Sequence, residues 1–112
     1  MRAPIEVTRA NVELSAYPKD KLLFIKWLVE DTVPSQAPDQ IAILRLDTDH
    51  YRSTRHELDH LYPRLSRGGV LIIDDYGYYF GSRQATDEYF AEKNIPLCLF
   101  RIDEHVRAFV KP

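Results

Sequence analysis

An α/β fold with parallel strands and a C-terminal antiparallel hairpin is predicted by three features of this sequence. Two apolar runs stop abruptly on acid: Ile41-Ala-Ile-Leu-Arg-Leu-Asp47-Thr-Asp49, and Gly68-Gly-Val-Leu-Ile-Ile-Asp74-Asp75. A stretch of helical period, Tyr51 to Leu65, lies between them. Strand, helix, strand of this length is a right-handed crossover, which makes the two strands parallel. Finally, Pro96 to Ile102 and Val106 to Val110 are short apolar runs split only by Asp103-Glu104-His105, the pattern of a hairpin.

The elements follow in order. Ile5, Val12, Leu14 and Tyr17 stand among charges over residues 5–17, a helix with Pro4 at its first turn and Pro18 beyond its end. Leu22 to Val29 is short and mostly apolar and reads as a buried strand, although pattern alone leaves a helix open. Glu30 to Asp39 carries Pro34 and Pro38 and is a loop. Ile41 to Leu46 is a strand whose one charge, Arg45, marks a solvent-facing tip or a residue with a pairing partner. Thr54 and Glu57 match a capping box, so the next helix is expected to start there. Leu58, Leu61, Tyr62 and Leu65 form its buried stripe, and Pro63 distorts its last turn. Gly68-Gly69 is expected to stop the helix and open a strand, Val70 to Ile73, covered on both faces. An aromatic loop, Asp75 to Gly81, precedes a helix over Ser82 to Lys93.

Composition sets bounds on function. The chain has 112 residues, enough for a single small domain, with 45% apolar and 29% charged residues. A net charge of −2 gives no electrostatic case for nucleic acid or an anionic membrane. No apolar stretch approaches the ~20 residues of a membrane span. Met1 to Val7 lacks the apolar core of a signal peptide. The one cysteine, Cys98, sits in an apolar run and reads as a buried thiol, which fits a reducing cytoplasm.

The acids carry the chemistry. In parallel sheets ligands bind at the carboxyl ends of the strands, so Asp47, Asp49, Asp74 and Asp75 should converge on one rim. Acids crowded there repel one another unless a cation or protons sit among them. Hard carboxylate oxygens suit magnesium or calcium better than zinc. If the strand end stays extended, Asp49 projects to the same side as Asp47 and could serve as a further acid or as a general base. A single aspartate at a strand end also caps a turn or helix, and only the whole set favours a site. His50 follows directly and could move protons, though a solvated loop histidine is the simpler reading. His56, His60 and His105 read as surface residues. Tyr76, Tyr78, Tyr79 and Phe80 could wall a pocket or pack on one another. Trp27, on its own residues, belongs in the core, and Arg64 and Arg67 suit a helix C-terminus.

At these residues the chain resembles the macrocin O-methyltransferase family. The likeness rests on Leu46-Asp47-Thr-Asp49-His-Tyr51-Arg-Ser53-Thr54 linked to Leu61-Tyr62-Pro63 and on through Gly68-Gly69 to Asp74-Asp75-Tyr76. Upstream, Phe24-Ile-Lys26 and Glu30-Asp31-Thr32-Val-Pro34 match as well. The resemblance implies a class I, Rossmann-like S-adenosylmethionine methyltransferase sheet. It implies magnesium, or another divalent ion, on Asp47, Asp74 and Asp75. It implies Asp49 as the base for a sugar hydroxyl, with His50 beside it, and Trp27, Leu28 and Asp47 against the cofactor. Trp27 stands where the family usually has glycine, at a position bordering the adenine pocket. The acceptor implied is a small-molecule glycoside, with neither nucleic acid nor membrane as partner. The chain contains no Gly-x-Gly-x-x-Gly and no Walker sequence. Residues 1–112 are therefore expected to be the C-terminal portion of such a fold, without its glycine-rich cofactor loop, and inactive or weak alone. An uncovered sheet edge near residues 22–29 is expected to pair with a partner chain, including a second copy. Two other functions remain open: a metal-dependent nucleotide-sugar glycosyltransferase, and a non-catalytic interaction domain.

Overall fold

The computed structural model describes residues 5–26, 28–77 and 80–112. Four helices and four strands are present among them: α1 (Ile5–Glu13), α2 (Val29–Thr32), β1 (Ile41–Leu46), α3 (Tyr51–Leu61), β2 (Leu65–Ile73), α4 (Phe80–Glu92), β3 (Phe100–Arg101) and β4 (Arg107–Val110). The sheet order is β1-β2-β4-β3. β1 and β2 run parallel, as the crossover requires, while β4 is antiparallel to both β2 and β3. The sheet is thus mixed, and the C-terminal hairpin is present, shorter than expected, on its far side.

The core lies on one face of this sheet. Leu44 and Leu46 of β1, Leu71 and Ile73 of β2 and Phe109 of β4 meet the α3 stripe of Leu58 and Leu61, then Tyr62 and Leu65, and Tyr89 and Phe90 of α4. Alternation along a strand sends every second side chain the other way. Ile43 therefore stands 65% exposed, and Val70 and Ile72 are half-buried rather than covered on both sides. Rings of Tyr62, Tyr89, Phe90 and Phe109 meet edge to face at 5.0–5.8 Å between centroids, the favoured aromatic arrangement.

Several expectations are corrected. The described part of Leu22–Val29 is not a strand: residues 22–26 join no sheet among the described residues, Leu23 is 80% exposed, and Val29 opens α2. Among the described residues the edge strands of the sheet are instead β1 and β3. The helix after β1 starts at Tyr51 rather than Thr54, because the Thr54 N–H already donates to the His50 carbonyl. The capping box does not form, and Thr54 is buried within α3 with its hydroxyl unpartnered. Gly68-Gly69 lies inside β2, where Gly68 takes a positive φ of 82, and the helix has already ended in a 3-10 turn at Tyr62–Arg64. Arg64 has a role beyond the helix dipole: its Nη1 donates to the carbonyls of Pro34, Ala37 and Pro38. Cys98 is exposed, not buried. Among the described residues no helix is long and apolar enough to cross a membrane.

Candidate functional site

The strand ends of β1 and β2 lie side by side, since Leu46 pairs with Ile73 and the Asp74 N–H donates to the Leu46 carbonyl at 3.0 Å. Both acid pairs therefore leave the sheet at one rim. Beyond β1 the chain turns sharply. The His50 N–H donates to the Thr48 carbonyl at 2.7 Å, closing a three-residue turn with Asp49 at its centre. Asp49 takes a φ of 67, a left-handed conformation that aspartate tolerates better than most residues but at some cost. This turn brings the Asp49 carboxylate back over the rim. One carboxylate oxygen each from Asp47, Asp49 and Asp75 lies within 4.8 Å of the others.

Asp74 is placed differently. Alternation puts it on the open face with Arg45, and the Arg45 Nε donates to Asp74 Oδ2 at 2.9 Å, with the terminal Nη2 on the same oxygen. The same Nη2 lies 3.6 Å from Asp47. The acids thus form a continuous row: Asp74, the Arg45 guanidinium, Asp47, then Asp49 and Asp75. The Asp74-Asp75 turn is pinned from below, because the Gly77 N–H donates to the His105 carbonyl at 2.9 Å. A Cβ at Gly77 would sit 2.1 Å from the Glu104 carbonyl oxygen, so that close approach requires glycine.

The electrostatics follow from this crowding. Burial, then hydrogen bonding with Asp49 and its charge, then Asp47, push the Asp75 carboxyl up to about 7. Asp47 also sits above its ordinary range, from partial burial and then from the charge of Asp74. Carboxylates in this state lack positive charge, and their donor set is all hard oxygen. The Arg45 guanidinium neutralises part of the negative charge by bridging Asp47 and Asp74. These residues fit a divalent metal ion.

A feature missed in the sequence lies behind the turn. Glu57, on the buried side of α3, accepts a hydrogen bond from the Thr48 hydroxyl at 2.5 Å and is only 6% exposed. Burial pushes its carboxyl up to about 7, against the hydrogen bond from Thr48, which works the other way. The signal was present as Thr54-x-x-Glu57 but pointed to a cap. Glu57 instead holds Thr48, the residue between the two acids that follow β1.

The remaining expected site residues are scattered. His50 is exposed at the start of α3, and Leu28, 42% exposed, precedes α2. Trp27, Tyr78 and Tyr79 lie outside the described residues. The Tyr76 hydroxyl donates to Asp87 at 2.7 Å, and Phe80 is exposed. His56 is not a bare surface residue: its Nε2 lies 2.7 Å from the Val33 carbonyl oxygen. A polar cavity of about 440 Å³ lies between α2 and α3, lined by Glu30, Tyr51, Arg55 and His56 among others.

Comparison with known proteins places this geometry. Residues 1–111 match the family model described as macrocin-O-methyltransferase (TylF). The chain is 42% identical over 76 residues to the 8-demethyl-8-(2,3-dimethoxy-alpha-L-rhamnosyl)-tetracenomycin-C 4'-O-methyltransferase of Streptomyces olivaceus, covering 68% of this chain and 29% of that protein. It is 39% identical over 84 residues to the demethyldecarbamoylnovobiocin O-methyltransferase of Streptomyces niveus, covering 75% and 32%. Its fold is similar to the solved O-methyltransferase NovP, with a TM-score of 0.89, 34% identity, and 95% of this chain against 44% of NovP. CalS11, a TDP-rhamnose 3'-O-methyltransferase, shares the fold with a TM-score of 0.70 at 23% identity, over 94% of this chain and 48% of CalS11. The chain therefore spans about a third of the length of the two sequence relatives.

Proposed function

The chain belongs to the macrocin-O-methyltransferase family, and on that premise we propose that it forms the metal- and acceptor-binding part of a sugar O-methyltransferase with a class I, Rossmann-like sheet. The observation that carries this reading is the meeting of Asp47, Asp49 and Asp75 within 4.8 Å at the ends of adjacent parallel strands. The glycosyltransferase alternative has no need of the second acid pair, and the family match speaks against it.

Bound S-adenosylmethionine would supply an electrophilic methyl group, and a bound divalent ion would supply positive charge beside the acceptor oxygen. Asp47 and Asp75 would hold the ion, with Asp74 joining them once its carboxylate is released by Arg45. Asp49, fixed over the same rim by its turn, would take the proton from the acceptor hydroxyl as that oxygen takes the methyl group. His50, next in the chain and exposed, would pass that proton to solvent. The protein's contribution is orientation and charge placement, not covalent chemistry. The acceptor class that fits the family is a hydroxyl on the sugar of a glycosylated small molecule.

Trp27, Leu28 and Asp47 would border the methyl donor. The chain's four glycines include no Gly-x-Gly turn, so its residues do not supply the usual cofactor cradle. The chain alone is expected to bind S-adenosylmethionine weakly or not at all, and tight calorimetric binding would contradict this division of labour. The β1 edge, with Ile43 exposed, is where further strands of such a fold, or a second copy, would add.

Calorimetric titration with magnesium tests the metal assignment. The chain is expected to bind, and Asp75→Asn is expected to lose binding by at least about tenfold, the effect of removing one charged ligand. Equal affinity in the two proteins would refute the site.

A further inference from the structure

We infer that Arg45 is a built-in counter-cation, which occupies Asp74 and the near side of Asp47 and has to swing aside before Asp74 can join Asp47 and Asp75 around a divalent ion. The inference rests on the metal reading above and adds to it a residue that sets metal affinity without being a ligand.

The geometry carries it. Arg45 is the one charged residue within β1. Its guanidinium reaches along the open face to Asp74 and lies 3.6 Å from Asp47. Both nitrogens that reach Asp74 converge on Oδ2 alone, so the contact is end-on rather than a fork gripping both oxygens. The partners differ in freedom. The Arg45 side chain is 62% exposed and can leave into water, whereas the Asp74 side chain is 15% exposed and cannot follow it. An exposed ion pair of this kind is weak and easily exchanged. A divalent ion and a guanidinium within a few ångströms repel each other, so the two cannot share Asp47 and Asp74 at once.

A purely structural pair, tying the end of β1 to the end of β2, would behave differently. Its removal would destabilise the chain and leave metal affinity unchanged or weaker, because the loosened acids would lose their positions. Competition predicts the reverse for affinity.

The experiment is magnesium calorimetry on wild type, Arg45→Met, Arg45→Lys and Asp75→Asn, with thermal melts of each in chelator and in saturating magnesium. Arg45→Met is expected to bind magnesium roughly three- to tenfold tighter than wild type, since no ion pair has to break and a like charge is gone. Arg45→Lys keeps the charge but loses the planar donors, and is expected to tighten binding about twofold. In chelator Arg45→Met should melt below wild type, and saturating magnesium should close or reverse that gap. Equal or weaker binding in Arg45→Met, while Asp75→Asn abolishes it, overturns the role of Arg45 and leaves the metal site standing. Absence of magnesium binding in wild type and in both Arg45 variants overturns the metal site and this inference together. If Arg45→Met fails to fold, the lysine variant decides: affinity at or below wild type overturns the inference.

Discussion

Replacing Glu57 with glutamine is expected to make the chain more stable at neutral pH and to leave it nearly unchanged at acid pH. Glu57 is buried, and its carboxyl is raised from its ordinary 4.5 to about 7. Below about pH 4.5 both folded and unfolded chains hold the proton, and the residue adds no pH dependence. Between there and about pH 7 the unfolded chain loses its proton while the folded chain keeps it. Folding then takes up a proton, and stability falls as pH rises. Integrated over that range, the loss is roughly 3 kcal/mol, at about 1.4 kcal/mol for each tenfold change in proton affinity. Little of this is screened, because only 6% of Glu57 is exposed. Glutamine fills the same space, still accepts from the Thr48 hydroxyl and does not titrate. Urea unfolding followed by circular dichroism, at several points between about pH 4.5 and about pH 8, reads the difference between the two proteins. The gap should open steadily towards alkaline pH and reach a few kcal/mol. A gap that does not change with pH, or a wild type that is the more stable protein near pH 8, would show that Glu57 is not a buried, proton-holding carboxyl.

Two further outcomes are expected at the same turn. Asp49→Gly should be more stable than Asp49→Ala by about 1 kcal/mol in urea unfolding, because glycine adopts the observed φ of 67 without strain and alanine does not; equal stability would remove the strained turn. Thr48→Val keeps the volume but loses the hydroxyl that donates to Glu57, and should weaken magnesium binding several-fold in calorimetry while costing about 1–3 kcal/mol for the unpartnered carboxyl; unchanged affinity would mean that the pair does not position the acids.

Much of the central unit was legible because it follows simple periods. The apolar runs ending on acid are met in the structure, as are Leu58 and Leu61 of the helical stripe, while Tyr62 and Leu65 are buried beyond the end of α3, in the 3-10 turn and at the start of β2. What failed depended on partners distant in the chain. Leu22–Val29 has the composition of a strand, but a strand exists only with a neighbour to complete its ladder, and residues 22–26 form no strand. Thr54-x-x-Glu57 matched a cap, yet Glu57 found Thr48, nine residues earlier, and the helix began a turn sooner. The two adjacent acids that follow β2 looked equivalent. A period of two places them on opposite faces, which is why Asp74 meets Arg45 and Asp75 meets Asp47 and Asp49. That split was readable in advance from the single charge in β1.

The open face gives the Arg45–Asp74 pair its particular character. Leu71 and Ile73 are fully buried under α3 and α4, while Val70 and Ile72 on the other side of β2 are only half covered and Ile43 of β1 is bare. A strand apolar on every residue is suited to cover on both faces. Arg45 stands on the bare side, so its hold on Asp74 has the strength of a contact made largely in water, where such pairs contribute about 0–1 kcal/mol. Any layer laid over that face would take the guanidinium out of water, strengthen its attraction to the acids and make it harder to displace. On the metal reading proposed above, the affinity of the rim for a divalent ion would therefore be coupled to what covers Ile43 and Ile72. A segment or partner that packs there without releasing Arg45 would lower metal affinity, and one that draws Arg45 onto an acid of its own would raise it.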